Sequence, residues 1–508
     1  MMTRTKKIIG FLAAALAVAI LWAPAAAAAP SADKVIARYT KAQGKKALRR
    51  VTSTTVVGSV AGDDAARHFR QQLSEPDRFR QEIEGSGTVD AEGYNGKSAW
   101  RCNASGVRTL VDLDAQHARL HALLANARFQ ELSRRRVAAR ALGETVVKGR
   151  RASVIEFALE GAREQVYFDA TSGLPVVQRR TVDGRVEETY YSDYRRVDGL
   201  LEPFSIQIVA GGRETLVSVE RVEHNVAPDE SAFRVPTAIG SRPLPDLTAL
   251  VTSLRANQAK VEELQEHYAF RETRTERRDD GRGGTMDSET RVYRVVPVAG
   301  RLVRELLAVN GREIPPAERE KERRRVGNQL EEAIAKRAKE RARAEQAAAE
   351  GKAEDADLTI ATFLRLSEIS SVRRERLHGR ELLAFDFEPR ADYKPKTMAE
   401  NIVGKLAGTI WVDEAALQVV RLEARLTKKA KIAGGLFVSL APDSKVAMEQ
   451  AMVNDEVWLP SYREIAIAGR AFLLKKFSQN TLSRFSDFER FGVDADATLE
   501  VPEDEPKP

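Results

Sequence analysis

Few residues of this chain could hold a metal ion. His117 and His121 stand four positions apart in a stretch with helical period, so both imidazoles could face one ion. No H-E-x-x-H arrangement accompanies them, and no third ligand follows at a spacing typical of zinc sites. We therefore interpret them as two surface or interface histidines and predict no metal site.

The tetrapeptide NGKS at residues 95–98 looks like the end of a phosphate-binding loop. The first glycine of such a loop is missing, because Ala91 holds its place, and strands rather than a helix are predicted to follow. The helix N-terminus that would hold a phosphate is therefore absent from the pattern. Asn-Gly is instead the strongest short signal for a β-hairpin, so we expect a hairpin here and no nucleotide or other cofactor.

Catalytic residues are not indicated either. The chain has no G-x-S-x-G nucleophile elbow. Asp169 and Asp413 occur in similar surroundings, but each ends a predicted strand at a turn, where aspartate caps the backbone locally. Cys102 is the only cysteine, which excludes internal disulfides and dithiol redox chemistry. We predict a protein that is not an enzyme, with an unrecognised hydrolase as the catalytic alternative.

Residues 1–29 have the pattern of a secretory signal peptide. MMTRTKK is positively charged, IIGFLAAALAVAILWA is apolar, and PAAAAAP offers small residues for cleavage near Ala29. A retained membrane anchor is the alternative. No later apolar run reaches the roughly 18 residues that span a bilayer, so we expect an exported, soluble, periplasmic protein.

Length and charge bound the remaining possibilities. A chain of 508 residues suggests two to four domains at about 100–200 residues each. Without Arg4, Lys6 and Lys7 of the signal segment, the formal net charge of +7 falls to +4, which is mild, and basic residues are interspersed with acidic ones. Nucleic acid is therefore not an expected partner.

The most informative feature is a hairpin that occurs twice. VYFDATSGLPVVQ and IWVDEAALQVVRLE align with Asp169 on Asp413, which places Tyr167 on Trp411. Two further pairs match in the same order: VVKGRRASVIEFALE with RLHGRELLAFDFEPR, and VDGLLEPFSIQIVA with VNDEVWLPSYREIAIA. Three ordered matches predict two related β-rich domains in tandem, an arrangement that duplication would explain.

The domain boundaries follow from these repeats and from turn residues every 8–12 positions. We expect domains at residues 33–237 and 246–494, a Pro-rich linker at 238–245 and an acidic, Pro-containing tail at 495–508. A charged helical insertion is expected at about 313–351. Its apolar stripe is thin, which predicts a solvated arm, with a partner-binding helix as the alternative.

The order helix, strands, YNGKSAW, middle helix and the turn at 169–173 resembles the bacterial outer-membrane lipoprotein-sorting (LolA/LolB-like) family over residues 33–237. Residues 246–494 resemble a diverged copy through Trp411, Asp413 and Pro460. The resemblance implies a curved antiparallel sheet that forms an unclosed barrel, with helices over an apolar cavity for acyl chains. These carriers usually have one such domain, and their ligand-gating arginine has no single counterpart here.

The expected fold is therefore α+β and β-dominated, with two tandem curved antiparallel sheets, each an unclosed half-barrel covered by helices, plus one long charged helical arm. The expected function is that of a non-enzymatic periplasmic carrier or binding protein for lipid or lipoprotein acyl chains. Burial of one methylene group is worth about 0.8 kcal/mol, so such a site needs no precise polar constellation.

The alternative is an envelope interaction or sensory protein that uses the same fold without a lipid. An apolar cavity in each domain would favour the carrier, and solidly packed cores would favour the interaction protein.

Two aromatic residues are candidates for the ligand cradle. The shared register predicts that Tyr167 and Trp411 occupy equivalent positions and face the same side of their sheets. They would line the cradle or cover its edge. The residues on either side, Val166, Phe168, Ile410 and Val412, would point the other way.

A second candidate is the loop that contains Leu436, Phe437 and Val438. Three lysines precede it, and Gly434-Gly435 allows a hinge. Lysines beside exposed apolar residues are typical of a cavity mouth or of transient contact with an anionic membrane surface. An ordinary hairpin extension of the sheet is the alternative.

Overall fold

The computed structural model describes residues 30–490 except 62–66, 86–87, 105, 237–243, 266, 280–284, 299–300, 350–365, 391–393, 396–397, 433–437, 443 and 472–474. Strands dominate, and they form two large antiparallel sheets, neither of which closes on itself. No helix within these residues is long and apolar enough to cross a membrane. The predicted fold class is confirmed. The expected signal peptide and the tail at 495–508 lie outside the described residues.

The first sheet follows two helices, α1 (Ala32–Gln43) and α2 (Lys45–Leu48). Its strands are β1 (Ser53–Val60), β2 (Arg67–Ser74), β3 (Arg78–Gly85), β4 (Thr88–Tyr94), β5 (Ala99–Asn103), β6 (Gly106–Leu110), β7 (Ala138–Val147), β8 (Arg150–Leu159), β9 (Ala162–Asp169), β10 (Pro175–Val182), β11 (Arg185–Val197), β12 (Leu200–Ala210) and β13 (Arg213–His224). Helix α3 (Asp112–Ala127) lies between β6 and β7 in the chain. A short 3-10 helix, Glu230–Phe233, follows β13.

The strand order of the first sheet explains where α3 lies. The order is β6-β5-β4-β3-β2-β1-β13-β12-β11-β10-β9-β8-β7, so β6 and β7 are the two edges although they are consecutive strands. The connection between them must cross the sheet. Helix α3 makes this crossing and contacts β2, β3, β4, β5, β8, β9 and β10 on the way. It therefore covers one face of the sheet.

The second sheet follows helix α4 (Leu247–Gln265). Its strands are β14 (Tyr268–Asp279), β15 (Thr285–Val298), β16 (Arg301–Val309), β17 (Arg312–Glu313), β18 (Ser367–Leu377), β19 (Arg380–Pro389), β20 (Leu406–Asp413), β21 (Gln418–Leu426), β22 (Ala430–Ile432), β23 (Val438–Leu440), β24 (Lys445–Val453), β25 (Val457–Ala471) and β26 (Lys475–Arg490). Helix α5 (Pro316–Ala349) lies between β17 and β18, and α6 (Met398–Val403) lies between β19 and β20.

The two sheets have corresponding strand orders. The second runs β17-β16-β15-β14-β26-β25-β24-β21-β20-β19-β18, with β22 and β23 joined to β25. The first strand of each sheet pairs with its last, β1 with β13 and β14 with β26. The three repeated segments occupy corresponding places: β7–β8 with β18–β19, β9 with β20, and β11–β12 with β24–β25. Helix α5 connects the two edge strands of its sheet in the chain, β17 and β18, just as α3 connects β6 and β7.

The three hairpin turns that the sequence singled out form as predicted. Asn95 Oδ1 accepts hydrogen bonds from the backbone of Lys97 (3.0 Å) and Ser98 (2.8 Å), and Gly96 has a φ of 91°. Asp169 Oδ1 accepts from two backbone N–H groups after β9, and Asp413 Oδ1 does the same after β20. The carboxylates shape turns, as aspartate commonly does.

Helix α5 differs from the predicted solvated arm. Its first half lies against β16, where Glu322 Oε1 accepts a hydrogen bond from the backbone N–H of Leu306 at 2.6 Å. Ala333 is buried, whereas Ile334 is 58% exposed. The thin apolar stripe is therefore enough to dock this half of the helix, because glutamate and arginine side chains add polar contacts to the sheet.

Candidate ligand-binding cavity

A cavity of about 160 Å³ lies between α1, α3 and the first sheet. Its apolar lining comes from β1, β2 and β12 below and from the end of α3 above. These residues are Val56, Leu73, Leu124, Phe129, Ile206 and Ile208. Polar side chains line the remaining walls, so the cavity is amphiphilic.

Helix α1 forms one wall of the cavity. Ser31 begins the helix by accepting a hydrogen bond from the backbone N–H of Lys34, and Gly44 ends it with a φ of 80°. Tyr39 points to the sheet, and its ring meets Phe129 and Phe168 edge-on with centroids 5.3 and 5.9 Å apart. Burial raises the pKa of Tyr39 to about 12, so its hydroxyl stays protonated beside the cavity.

Helix α3 forms the roof. Leu120, Leu123 and Leu124 are buried on one side of it, as the spacing of an amphipathic helix requires. The helix ends at Arg128, which adopts the left-handed conformation with a φ of 45°. The chain turns sharply here, and the side chain of Arg128 enters the cavity wall.

The first polar group in the wall is centred on Glu202. Arg128 donates to Glu202 Oε1 at 2.8 Å and to Thr54 Oγ1 at 3.0 Å. His224 Nε2 lies 3.0 Å from the same Oε1. Burial alone would raise the pKa of Glu202, but Arg128 and His224 outweigh it and lower the pKa. The glutamate is therefore ionised and fully paired.

The second polar group is centred on Arg180. This guanidinium binds Glu187 at 2.7 Å and also Glu92, which in turn binds Arg101 at 3.1 Å. Burial alone would raise the pKa of Glu92, yet Arg180 and Arg101 hold it at about 2. Charge in this wall is thus compensated by neighbours rather than by water.

His121, which the sequence raised as a possible metal ligand, belongs to the same wall. Its Nδ1 lies 3.2 Å from Glu164 Oε1, and Gln178 also donates to that carboxylate. Tyr191 donates to Gln178 Oε1 at 2.5 Å. Among the described residues no group of three His, Cys, Asp or Glu side chains is arranged to hold a metal. The histidine completes a hydrogen-bond network.

The cavity is smaller and more polar than the resemblance implied. An engineered apolar cavity of about 150 Å³ holds one benzene molecule, whereas sites for drug-sized ligands measure about 300–1,000 Å³. At about 160 Å³, this cavity fits the end of an apolar chain beside a small polar group.

Tyr167 and Trp411 lie outside the cavity. Val166 and Phe168 point to the helix-covered core of the first sheet, and Ile410 and Val412 point to that of the second. Tyr167 is half-buried on the opposite face and does not line the cavity. The expectation that these aromatics line a cradle is corrected, because neither borders the cavity and Trp411 belongs to a separate apolar cluster that includes Val261 of α4.

Trp411 instead lies where the two domains meet. It is fully buried, and its Nε1 donates to Glu375. Glu375 Oε2 accepts hydrogen bonds from both the backbone N–H and the hydroxyl of Thr109 in the first domain, each 3.0 Å long. The tryptophan therefore orients a carboxylate that joins the domains.

Arg421 makes a second connection between the domains, and this one reaches α3. Its side chain is 2% exposed, and one nitrogen lies 2.8 Å from Asp112 Oδ1 in the first turn of the helix. Glu423 and Glu449 bind the same guanidinium, each at 2.6 Å. The second domain thus holds one end of the helix that roofs the cavity.

The candidate membrane loop is only partly described. Leu436 and Phe437 lie outside the described residues. Val438 is half-buried in β23, where it pairs with Ile432 of β22 and with Ala471 of β25. The flanks of the loop form the hairpin extension that the sequence left open as the alternative.

The comparison with known proteins gives matches among solved structures. No family model and no curated protein matches the chain. A LolA superfamily protein from Nitrosomonas europaea is 13% identical over 40% of this chain and 98% of its own, with a TM-score of 0.29. The family that the sequence motifs resemble is thus represented among similar structures.

Two further matches differ in extent. The Mycobacterium tuberculosis lipoprotein LppX is 13% identical over 39% of this chain and 99% of its own, with a TM-score of 0.17. The Pseudomonas aeruginosa MucA/MucB complex is 9% identical over 91% of this chain and 99% of its own, also with a TM-score of 0.17. All three TM-scores are below 0.5, so function must be argued from the geometry of this chain.

Proposed function

We propose that the protein binds an amphiphile, such as a lipid or a lipoprotein acyl chain, in the first-domain cavity, and that it acts as a non-enzymatic carrier or binding protein in the periplasm. The amphiphilic lining under α3 carries this proposal. Ile206 and Ile208 offer apolar surface, while Tyr39 and Arg128 place polar groups at the wall. Such a lining suits a ligand with an apolar chain and a polar end.

Binding of a long acyl chain in the first-domain cavity would be coupled to the contacts between the two domains. About ten buried methylene groups would contribute roughly 8 kcal/mol before the costs of ordering the chain. Such a chain exceeds the present volume, so α3 has to shift away from the sheet. Arg421 resists this shift through Asp112, which gives the second domain an influence on loading.

A second function has support from the second domain. Leu250 and Leu254 of α4 are buried against its sheet in one large apolar cluster with Leu383, Phe385 and Ile410. One continuous apolar cluster under the helix favours the envelope interaction or sensory protein that the sequence left as the alternative. The second domain is therefore the candidate for contact with a partner protein, while the first holds the ligand.

Mass spectrometry of lipids that co-purify with the exported protein tests the proposal. Ile208→Trp fills the cavity from β12. Val186→Trp adds the same ring at an exposed position of the neighbouring strand β11, where the native side chain is 50% exposed.

We expect at least a tenfold loss of bound lipid per mole in I208W and no loss in V186W, with melting temperatures checked for both. Lipid-free wild-type protein, or full lipid in I208W, would refute the proposal.

A further inference from the structure

Three arginines converge on one buried carboxylate on the helix-covered face of the second sheet. Glu272 of β14 is fully buried and accepts a hydrogen bond from Ser483 Oγ at 2.7 Å. Arg304 Nε lies 2.8 Å from its other oxygen. Arg274 and Arg463 each approach Glu272 Oε1 with one nitrogen at 3.3 Å. Four strands, β14, β16, β25 and β26, contribute to this group.

Aromatic rings hold two of these guanidinium groups in place. Arg274 lies over the ring of Tyr293, 5.8 Å from its centroid, and Arg463 lies over Phe485 at 5.4 Å. Stacking and the shared glutamate fix the planar forks before any ligand arrives. Preorganised arginine forks match the oxygen geometry of phosphate and carboxylate groups.

The group keeps a positive charge that its neighbours do not cancel. Three arginines against one glutamate leave a formal excess of two charges. Glu322 and Arg325 of α5 are next to the group, but they bind each other at 2.6 Å and so compensate one another. Burial, together with Arg304 and Arg274, lowers the pKa of Arg463 although Glu272 opposes this change.

Donors and space remain for a ligand. The side chains of Arg274, Arg304 and Arg463 are 31%, 26% and 33% exposed. The buried Nε of Arg274 has no hydrogen-bond partner within the described part of the chain. A cavity of about 300 Å³ between α5 and the sheet opens beside Arg304 and Tyr293. Its volume suits a small anion or a headgroup.

We propose that Arg274, Arg304 and Arg463 form a binding site for a phosphate-class oxyanion. A phosphate monoester carries about −1.5 to −2 charges at pH 7, which matches the excess of two, whereas a carboxylate would leave half of it uncompensated. Glu272 is then the residue that positions the three forks. The site lies in the second domain and does not rest on ligand binding in the first.

The phosphate could be free in solution or part of an amphiphile. On the same face, Met448 of β24 pairs with Arg463, and Ile465 follows two positions later on β25. Both supply apolar surface beside the arginines. Both kinds of ligand would bind through a phosphate group. The experiment therefore uses one free phosphate and one phosphate-containing amphiphile.

Isothermal titration calorimetry on the whole chain tests the site, with inorganic phosphate as one probe and dihexanoyl phosphatidic acid below its micellar concentration as the other. Arg463→Gln removes one fork and leaves Glu272 paired with Arg304 and Ser483. Arg484→Gln is the matched control, because Arg484 is exposed on the opposite face of β26 and loses the same charge.

We expect wild type and R484Q to bind phosphate with the same affinity and R463Q to bind it at least tenfold more weakly. The affinity of R463Q should also depend less steeply on salt concentration. If phosphatidic acid binds at least tenfold tighter than inorganic phosphate, and R463Q weakens both, the site holds a lipid headgroup. Equal affinities for the two probes would indicate free phosphate. Equal binding by R463Q and R484Q, or none by wild type, would overturn the inference.

Discussion

The two sheets have corresponding strand orders, but their helix-covered faces enclose different groups. Aligning Pro203 with Pro460 places Ile206 of β12 on Arg463 of β25, and Ile208 on Ile465. The isoleucines line a cavity under α3, whereas Arg463 joins a charged group around Glu272. The sheet therefore sets where a site can form, and a few side chains on β12 or β25 set its chemistry.

The covering helices differ in the same way. Helix α3 buries three leucines and spans its sheet. Helix α5 comes after the edge strand β17, as α3 comes after the edge strand β6, but it presents glutamate and arginine to its sheet. The apolar core of the second domain is covered by α4. A charged helix cannot roof an apolar cavity, because burying unpaired charge is costly. The cavity between α5 and the second sheet is accordingly lined by charged residues, among them Arg304, Glu322 and Arg325.

The largest effect is expected at the domain interface. Arg421→Met removes a buried guanidinium that compensates Asp112, Glu423 and Glu449. We expect a loss of about 3 kcal/mol in the free energy of unfolding, since breaking a buried pair leaves charges uncompensated. Urea denaturation measures it. Arg376→Met, at an exposed position of β18, serves as control, and equal midpoints for the two variants would show that the interface contributes little.

Truncating one buried leucine in each domain compares the two cores directly. Leu254 is 1% exposed in the apolar cluster of the second domain, so Leu254→Ala should cost about 3 kcal/mol, within the usual range for leucine truncation. Leu124→Ala should cost about 2 kcal/mol, because a side chain that borders a void has fewer contacts to lose. Denaturation of both variants checks this order. A larger loss for L124A would mean that the cavity is filled in solution.

The strand pattern could be predicted from the sequence, but the cavity wall could not. The repeats fixed the register of β9 and β20, because alternation and the Asp turns are local properties. Arg128 and Arg180 were not found, since their partners Glu202 and Glu92 lie 74 and 88 residues away in the chain. The place of Trp411 could not be predicted, because its contact with Glu375, and through Glu375 with Thr109 of the first domain, depends on how distant segments pack.

Acid should weaken the first domain through Glu92. Its pKa of about 2 in the folded protein lies below the unfolded value of about 4.3. The stabilisation is therefore complete above about pH 4.3 and is lost as the pH falls towards 2. Glu92→Gln should lower stability at pH 7 and flatten this dependence. Circular dichroism can follow unfolding as the pH is lowered. If E92Q loses stability in acid in the same way as the wild type, the ion pairs of Glu92 are not the cause of that loss.

The smallest effects are expected along α5. Replacing residues 336–349 with a Gly/Ser linker should change the free energy of unfolding by less than about 0.5 kcal/mol, as for other surface changes. Extending the replacement to residue 316 should cost about 1–2 kcal/mol, because the contacts of Glu322 and Ala333 are lost. Equal stability of the two variants would show that the docked half contributes nothing.

Equilibrium dialysis with the neutral amphiphile 1-lauroylglycerol tests most directly whether the two faces differ. The probe has no phosphate, so the arginine group does not favour it. Ile208→Trp and Ile465→Trp place the same ring at equivalent positions of β12 and β25 in the whole chain. The predicted result is at least a tenfold loss of binding in I208W and none in I465W. Equal loss in both variants, or loss in I465W alone, would contradict the claim that the binding site for apolar chains lies in the first domain.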